Sequence, residues 1–309
     1  MKPKVFIDGK EGTTGLQIFD RLAKRDDIDL ILIDESKRKD TDERRRLINA
    51  ADLVFLCLPD AAAVEAVSLV ENDRTRIIDA STAHRTAAGW DYGFPELSDA
   101  HRQAIIGSKR VANPGCHASG FVSIVYPLVK IGLLPADTAL TCFSLTGYSG
   151  GGKKMIAQYE NDKTDDLFAP RIYGLNLSHK HIPEMMAVTG LTVKPIFVPI
   201  VDDYYCGMAT AVSINVKMLT KSVTPADLRD MLAAHYDGAE FVTVTPEVRD
   251  SGMLEANYNA GTNKMEITVC GNDGEMLIVS RFDNLGKGAS GAAVENMNLM
   301  LGFEQSQGL

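Results

Sequence analysis

The chain has only five cysteines in 309 residues, an odd number, at positions 57, 116, 142, 206 and 270. No CxxC pair occurs and no His/Cys group has zinc-finger spacing, which excludes a disulfide-built scaffold and a structural metal. The spacing therefore predicts reduced thiols, a cytoplasmic location and no metal site. No apolar run approaches the ~20 residues that a membrane span needs. The opening MKPKVFIDGK breaks into charge and glycine too soon for a signal peptide. Positive charge is scarce as well: 32 Lys and Arg against 41 Asp and Glu give a formal charge of -9. That balance excludes a general nucleic-acid or anionic-membrane surface, so any anionic ligand must be held by local donors. There is no internal repeat and no low-complexity tract. What remains is ordinary globular composition, 45% hydrophobic and 24% charged, over a length that suits two domains.

The first third reads as a nucleotide domain. Val5, Phe6 and Ile7 form a short apolar run, and DGKEGTTGLQIFDRL follows at once. Gly9, Gly12 and Gly15 give GxxGxxG between a strand and a helix, with Thr13 and Thr14 at the turn. Glycines suit a tight turn whose backbone approaches a pyrophosphate seated on the helix N-terminus. A second strand, LILID, is expected to end at Asp34, 19 residues beyond Gly15. An acid there often accepts the ribose 2′-OH of NAD. Here Ser36, Lys37, Arg38 and Lys39 follow it, a hydroxyl and cations suited to the 2′-phosphate of NADP, so the stretch favours NADP(H). LVFLCLP (53–59) and RIIDAS (76–81) add two buried strands. Their alternation with helices predicts a Rossmann-type, doubly wound parallel sheet.

From about residue 139 the strands lengthen and helices thin out. ALTCFSL, PIFVPIVDDYYCGMATAVSINVKM, EFVTVTP, KMEITVCGND and EMLIVSRFDN predict an α+β domain with a mostly antiparallel sheet. Cys142, Cys206 and Cys270 fall in these strand-like runs and Cys57 in an earlier one, so all four read as structural. The tail GASGAAVENMNLMLGFE predicts a helix that packs back on the first domain. Polar residues gather on the connections. GYSGGGKK (147–154) joins glycines to Ser149, Lys153 and Lys154, an oxyanion-binding loop. NLSHKHIPEM (176–185) brings His179, His181 and Glu184 together; from an extended segment both imidazoles reach one cleft. A His-x-His pair also binds metals, but no third ligand with suitable spacing accompanies it.

Cys116 lies in ANPGCHASGFVSIVYPLVKIGLL. Phe121, Ile124, Val125, Leu128 and Val129 recur at helical spacing. Pro114 suits a first turn and Asn113 a cap, which places Cys116 where unpaired N–H groups and the helix dipole favour a thiolate. A cysteine at a helix start, histidines elsewhere and a nicotinamide site together predict covalent acyl-thioester chemistry.

NPGC (113–116), DYGFPEL (91–97), GYSGGGKK, HKHIPE (179–184) and FDNLGKGASGAAVENMNLM (282–300) together resemble one family. It is the N-acetyl-gamma-glutamyl-phosphate reductases of arginine biosynthesis, in their shorter type 2 form, within the aspartate-semialdehyde dehydrogenase-like superfamily. The resemblance runs from Val5 to the C-terminal helix. It implies an NADP-binding Rossmann domain over 1–116 and 285–309, and a catalytic, substrate and oligomerisation domain over 117–284. It also implies a homodimer or homotetramer acting on a small acyl phosphate and releasing phosphate. Cys116 falls on the family nucleophile, and His179, His181, Pro183 and Glu184 on its His-x-His-x-Pro-Glu element. The acid/base is His181 or His179, with Glu184 orienting the imidazole or binding substrate. Ser149, Lys153 and Arg171 are candidates for the substrate's phosphate and carboxylate. Asn284, Lys287 and Gly288 are candidates for the cofactor. The glycine loop GKEGTTG departs from the GASGYTG of the longer form while keeping Gly9, Gly12 and Gly15. Two other readings fit less of the chain: a reductase acting on aspartyl phosphate, and a non-catalytic NADP-sensing regulator, which has no use for His-x-His-x-Pro-Glu.

Overall fold

Val5, Phe6 and Ile7 lie in strand β1 (Lys4–Asp8) and feed two hydrophobic clusters alternately. Phe6 joins Val54, Leu56 and Ile77 in one, and Val5 and Ile7 join Leu53, Phe55 and Ile78 in the other. A strand buried on both faces is apolar throughout, which is why these runs show no polar alternation. The remaining elements of this unit are α1 (Thr13–Leu22), β2 (Asp29–Ile31), α2 (Thr41–Ala50), β3 (Leu53–Leu56), α3 (Asp60–Ser68), β4 (Arg76–Asp79), β5 (Asp91–Tyr92), α4 (Asp99–Gly107) and β6 (Arg110–Ala112). All six strands are parallel, in the order β2-β1-β3-β4-β6-β5. The order reverses between β1 and β3, the position at which open α/β sheets leave a crevice for ligands.

This is a computed structural model that describes residues 2–10, 12–245 and 252–309. The chain divides into one unit of Met1–Pro114 with Ala289–Leu309 and another of Gly115–Gly288. Gly115, Cys116 and residues 285–288 thus belong to the second unit.

The second unit starts with α5 (Cys116–Lys130), followed by β7 (Thr141–Gly147), α6 (Gly152–Glu160), β8 (Arg171–Ile172), α7 (Ile182–Thr189), β9 (Ile196–Asp202), β10 (Met208–Asn215), α8 (Pro225–His235), β11 (Val242–Val244), β12 (Met265–Gly271) and β13 (Glu275–Phe282). Its seven-stranded sheet runs β11-β12-β13-β10-β7-β9-β8. It is antiparallel except for the β7/β9 and β11/β12 pairs. The apolar stretch 195–218 is two strands that are not neighbours, because β7 lies between β9 and β10. The end of EFVTVTP, at 246, lies outside the described residues. Helix α5 is buried nearly all round. A Cβ on its Gly120 would stand 2.3 Å from Thr210 Oγ1, so only glycine lets the helix lie this close to β10.

The chain then returns to the first unit as α9 (Gly291–Leu301), and Ala293, Val294 and Met297 complete the cluster beneath α1 and α4. Among the described residues no helix is long and apolar enough to cross a membrane.

Candidate active site

Cys116 is the first residue of α5, and Gly115 rather than Asn113 occupies the cap position. Pro114 lies outside the helix, and the Asn113 amide donates to the Ala289 carbonyl at 3.0 Å instead of capping. Gly115 has no side chain to close the helix end. Glu184 serves that end from the first turn of α7: its Oε1 accepts the Gly115 N–H at 2.8 Å. A carboxylate is favourable there because the helix dipole is positive at its start. This bond ties the His179–Glu184 segment to the cysteine. Gly288 lies on the other side, where a Cβ would come within 3.0 Å of Cys116 Cβ. Space beside the thiol is one reason for glycine at 288.

His179 and His181 lie on a tight turn rather than on the expected extended segment. His181 is the helical N-cap residue of α7, and its N–H donates to His179 Nδ1 at 3.2 Å. The turn still brings the imidazoles together, with centroids 4.8 Å apart and planes at 86°. His181 is buried and His179 half-buried.

A third imidazole, which sequence reasoning missed, completes the cluster. His117 lies 5.6 Å from the His179 ring and 5.7 Å from that of His181. Its Nδ1 is 2.7 Å from Ser144 Oγ and its Nε2 is 2.7 Å from the Tyr173 hydroxyl. Burial, reinforced by positive charge at His179 and Lys180, lowers its pKa to about 3. With both nitrogens engaged, His117 is not available as a third metal ligand. Burial, reinforced by negative charge on Cys116, holds the Tyr173 phenol protonated. The signal for this group was present in the strands. Ser144 and Thr210 occupy inward positions where the alternation calls for apolar residues.

The other thiols are a different class. Burial pushes Cys57 up to about 12 and Cys206 up to about 11, and raises Cys142 and Cys270. Cys206 lies in the turn between β9 and β10, not in a strand, and the Asp283 carboxylate adds to the rise in its pKa.

The expected substrate ligands Ser149, Lys153 and Arg171 lie on three different elements. GYSGGGKK is helical rather than an open loop: residues 148–151 make a 3-10 turn that leads into α6. Ser149 is buried, and its Oγ accepts from Asn284 Nδ2 at 3.0 Å. Asn284 Oδ1 in turn accepts the Gly207 N–H at 2.8 Å, so this residue braces two turns. Lys153 is exposed on the first turn of α6. The Arg171 guanidinium donates to Tyr159 Oη at 3.0 Å and to Asp166 at 3.5 Å. Lys287 is buried, with Nζ 5.5 Å from the centre of the Phe241 ring.

In the first unit the glycine turn fits a dinucleotide. Gly9 has φ +90°, and a Cβ there would stand 2.4 Å from the Cys57 carbonyl at the end of β3. A Cβ on Gly15 would meet the Gly9 carbonyl at 2.5 Å. Gly12 caps α1 with no side chain, which leaves the first-turn amides of Thr13, Thr14 and Gly15 to face a ligand phosphate. β2 ends at Ile31, short of Asp34. Asp34 instead opens a 3-10 turn, accepting the Ser36 N–H at 2.9 Å and its hydroxyl at 2.6 Å. The Ser36 bonds hold its carboxyl below the usual range. Arg38 pairs with Glu35 at 2.6 Å on the surface, and Lys39 is exposed.

Comparison with known proteins agrees with this architecture. Residues 4–105 match the family described as semialdehyde dehydrogenase, NAD binding domain, and residues 116–284 match semialdehyde dehydrogenase, dimerisation domain. The fold is shared with aspartate semialdehyde dehydrogenase II from Vibrio cholerae, at a TM-score of 0.73 and 13% identity over 97% of this chain and 98% of that one. The enzyme from Francisella tularensis gives 0.74 and 14%, over 97% and 100%. Sequence similarity reaches further. An N-acetyl-gamma-glutamyl-phosphate reductase from Mesorhizobium japonicum is 48% identical over 98% of this chain and 100% of its own length. N-acetyl-gamma-glutamyl-phosphate reductase 2 from Nostoc sp. is 46% identical over 100% and 99%. With that identity along the whole chain, this protein belongs to the N-acetyl-gamma-glutamyl-phosphate reductase family.

Proposed function

We propose that the protein reduces N-acetyl-L-glutamyl 5-phosphate to N-acetyl-L-glutamate 5-semialdehyde with release of phosphate, through a thioester on Cys116. The observation that carries this reading is Cys116 at the open end of α5, tied by Glu184 to the turn that bears His179 and His181. The Cys116 sulfur attacks the acyl carbon, the C–S bond forms, and the C–O bond to phosphate breaks. A nicotinamide cofactor, held by the Gly9–Gly15 turn, supplies hydride when bound. The tetrahedral adduct on Cys116 then collapses, breaking the C–S bond and returning the thiolate with the aldehyde. Sulfur suits both steps, being strongly nucleophilic near neutral pH and a good leaving group. The departing phosphate takes up a proton and the adduct oxygen needs a donor. His181 fills this role, while His179 Nδ1 is committed to the turn. The test is NADP⁺ reduction by purified protein with phosphate and N-acetylglutamate semialdehyde. Turnover with that aldehyde at a rate no better than with aspartate semialdehyde would replace this substrate by aspartyl phosphate.

Within this reading the cofactor is NADP(H), supported by Ser36, Arg38 and Lys39 beside Asp34. Arg38 must leave Glu35 to take a 2′-phosphate, but an exposed pair is worth only about 0–1 kcal/mol. A charge-assisted hydrogen bond to the phosphate contributes about 1.5–3 kcal/mol, so two give a preference of roughly 100-fold or more over NAD(H). The ratio of kcat/KM for the two cofactors measures it, and Arg38→Ala is expected to shrink it. Equal efficiency would remove NADP from the reading.

Self-association, at least as a homodimer, is supported by the second sheet. One face is covered by α5, and the opposite face leaves Phe143, Ile196, Leu277 and Ile172 exposed at 41%, 52%, 38% and 56%. The register puts Phe143 beside Ala211 and Val198 on this face, so the apolar residues are contiguous. Phe143→Glu with Leu277→Glu is expected to yield folded monomers by sedimentation. An unchanged assembly state would move the contact elsewhere. Five free thiols accord with a cytoplasmic location.

A further inference from the structure

A separate imidazole lies in the first unit, on the loop that leaves β4. Asp79, the last residue of β4, is fully buried. Its Oδ1 accepts the Ser81 N–H at 2.9 Å; its Oδ2 accepts the Ser81 hydroxyl at 2.7 Å and faces His84 Nδ1 at 2.5 Å. A carboxylate only accepts, so a hydrogen of the His84 ring sits on Nδ1. Trp90 lies flat on that ring, with centroids 4.1 Å apart and planes at 15°. Position and tautomer are thereby both fixed. The loop itself is pinned by other bonds. The Ala80 N–H donates to the Leu56 carbonyl at 2.9 Å, the Thr82 N–H to Asp60 Oδ1 at 2.9 Å, and Arg85 Nε to the Asn113 carbonyl at 3.1 Å. His84 is only 9% exposed, and among the described residues its Nε2 has no hydrogen-bond partner. That nitrogen is not sealed in the core, so it stays open to a ligand.

We propose that His84 is a cofactor-binding residue, oriented by Asp79 and Trp90 so that its Nε2 meets the nicotinamide nucleoside of a bound dinucleotide. The proposal rests on the Gly9–Gly15 turn holding that cofactor. In a doubly wound sheet the dinucleotide crosses the carboxyl ends of the strands, one nucleoside on each side of the switch point. Asp34, beyond β2, marks the adenosine side, which leaves the ends of β3 and β4 for the nicotinamide. The residues after β3 join the two features. Gly9 packs on the Cys57 carbonyl from the β1 side, while Ala80 and Thr82 bond Leu56 and Asp60 from the β4 side. β4 lies two strand spacings, about 10 Å, from β1. The nicotinamide carboxamide and the ribose hydroxyls each donate and accept, so they suit Nε2 whether the ring is neutral or charged. A histidine kept only to hold the loop needs Nδ1 alone.

Calorimetry on the intact protein tests it with two ligands, NADPH and 2′-phospho-ADP-ribose, the same molecule without its nicotinamide. Should NADH bind more tightly than NADPH, the pair is NADH and ADP-ribose. His84→Asn can still donate to Asp79 but has no atom at the place of Nε2. It is expected to weaken dinucleotide binding about three- to tenfold, the scale of one hydrogen bond, and to leave the Kd of the nicotinamide-free ligand unchanged. Equal weakening of both ligands would mean that His84 only shapes the crevice. No weakening of either would mean that the cofactor does not reach it. Each result overturns the proposal. Where thermal unfolding shows His84→Asn to be unstable, nitrogen-15 NMR of the wild type with labelled histidine decides without a variant. The His84 Nε2 resonance is expected to move with NADP⁺ and not with the nicotinamide-free ligand, while Nδ1 stays protonated in both. An unmoved Nε2, or a hydrogen on Nε2 alone, would overturn it. Either failure leaves the dinucleotide reading of the glycine turn intact. A wild type that binds neither NADPH nor NADH removes that reading and the proposal together.

Discussion

Cys116→Ser is expected to fold, to bind NADPH, and to lose about 10⁴-fold or more in kcat, the scale on which removal of a nucleophile is felt in other enzymes. Serine is nearly isosteric, and Cys116 packs in the second unit while the glycine turn belongs to the first. The loss is chemical: a hydroxyl without a dedicated base is a poor nucleophile and a poor leaving group. Alkylation separates this from instability. At pH 7 a thiol pushed up to about 12, like Cys57, is ionised about one part in 10⁵, and Cys206 at about 11 about one part in 10⁴. One equivalent of iodoacetamide should label Cys116 ahead of both, inactivation should track that label, and acyl substrate should protect. Cys57→Ser is the control and should keep its activity. A Cys116→Ser protein with a tenth of wild-type kcat would mean that hydride reaches the acyl group without a thioester.

Replacing His181 by alanine is expected to lower kcat about 10²–10⁴-fold, the usual contribution of a positioned acid/base. NADPH binding should be unchanged. His179→Ala should cost less. Its Nδ1 accepts the His181 N–H, so its loss loosens the turn without removing the proton carrier. Steady-state kcat for the two variants, with thermal unfolding as a check on folding, measures the difference. If His179→Ala is the more damaging of the two, the imidazoles exchange roles. Glu184→Gln extends the test. The amide oxygen can still accept from Gly115, so the helix start should survive, whereas Glu184→Ala leaves that N–H buried and unmet.

Both replacements concern residues whose kind was legible in the chain and whose arrangement was not. Strands buried on both faces must be apolar throughout, so VFI, LVFL and RII specify a parallel sheet. The glycine turn was equally plain, because Gly9 has a positive φ and Gly15 sits against the Gly9 carbonyl, both constraints within the turn itself. Cys116 at a helix start and His181 with Glu184 were visible as motifs because each lies within a few residues of its own element. What joins them depends on distance through space. Glu184 meets Gly115 across 69 residues. Ser144 and His117 are 27 residues apart, and Thr210 and Ser144 are 66. No local periodicity encodes such pairs. The Ser144–His117 pair needs α5 to lie close on the sheet, which Gly120 allows, whereas Thr210 meets Ser144 as its cross-strand partner. Caps and turns moved for the same reason. Asn113 bonds Ala289, Glu184 meets the start of α5, and His179 accepts the His181 amide. The sequence by itself determined the sheet classes, the cofactor turn and the reactive residue types, all set by burial and backbone sterics along the chain. Only the tertiary structure decided that His117 meets Ser144 and Tyr173 and that Glu184 meets Gly115, because a buried polar group bonds whatever partner packing places beside it.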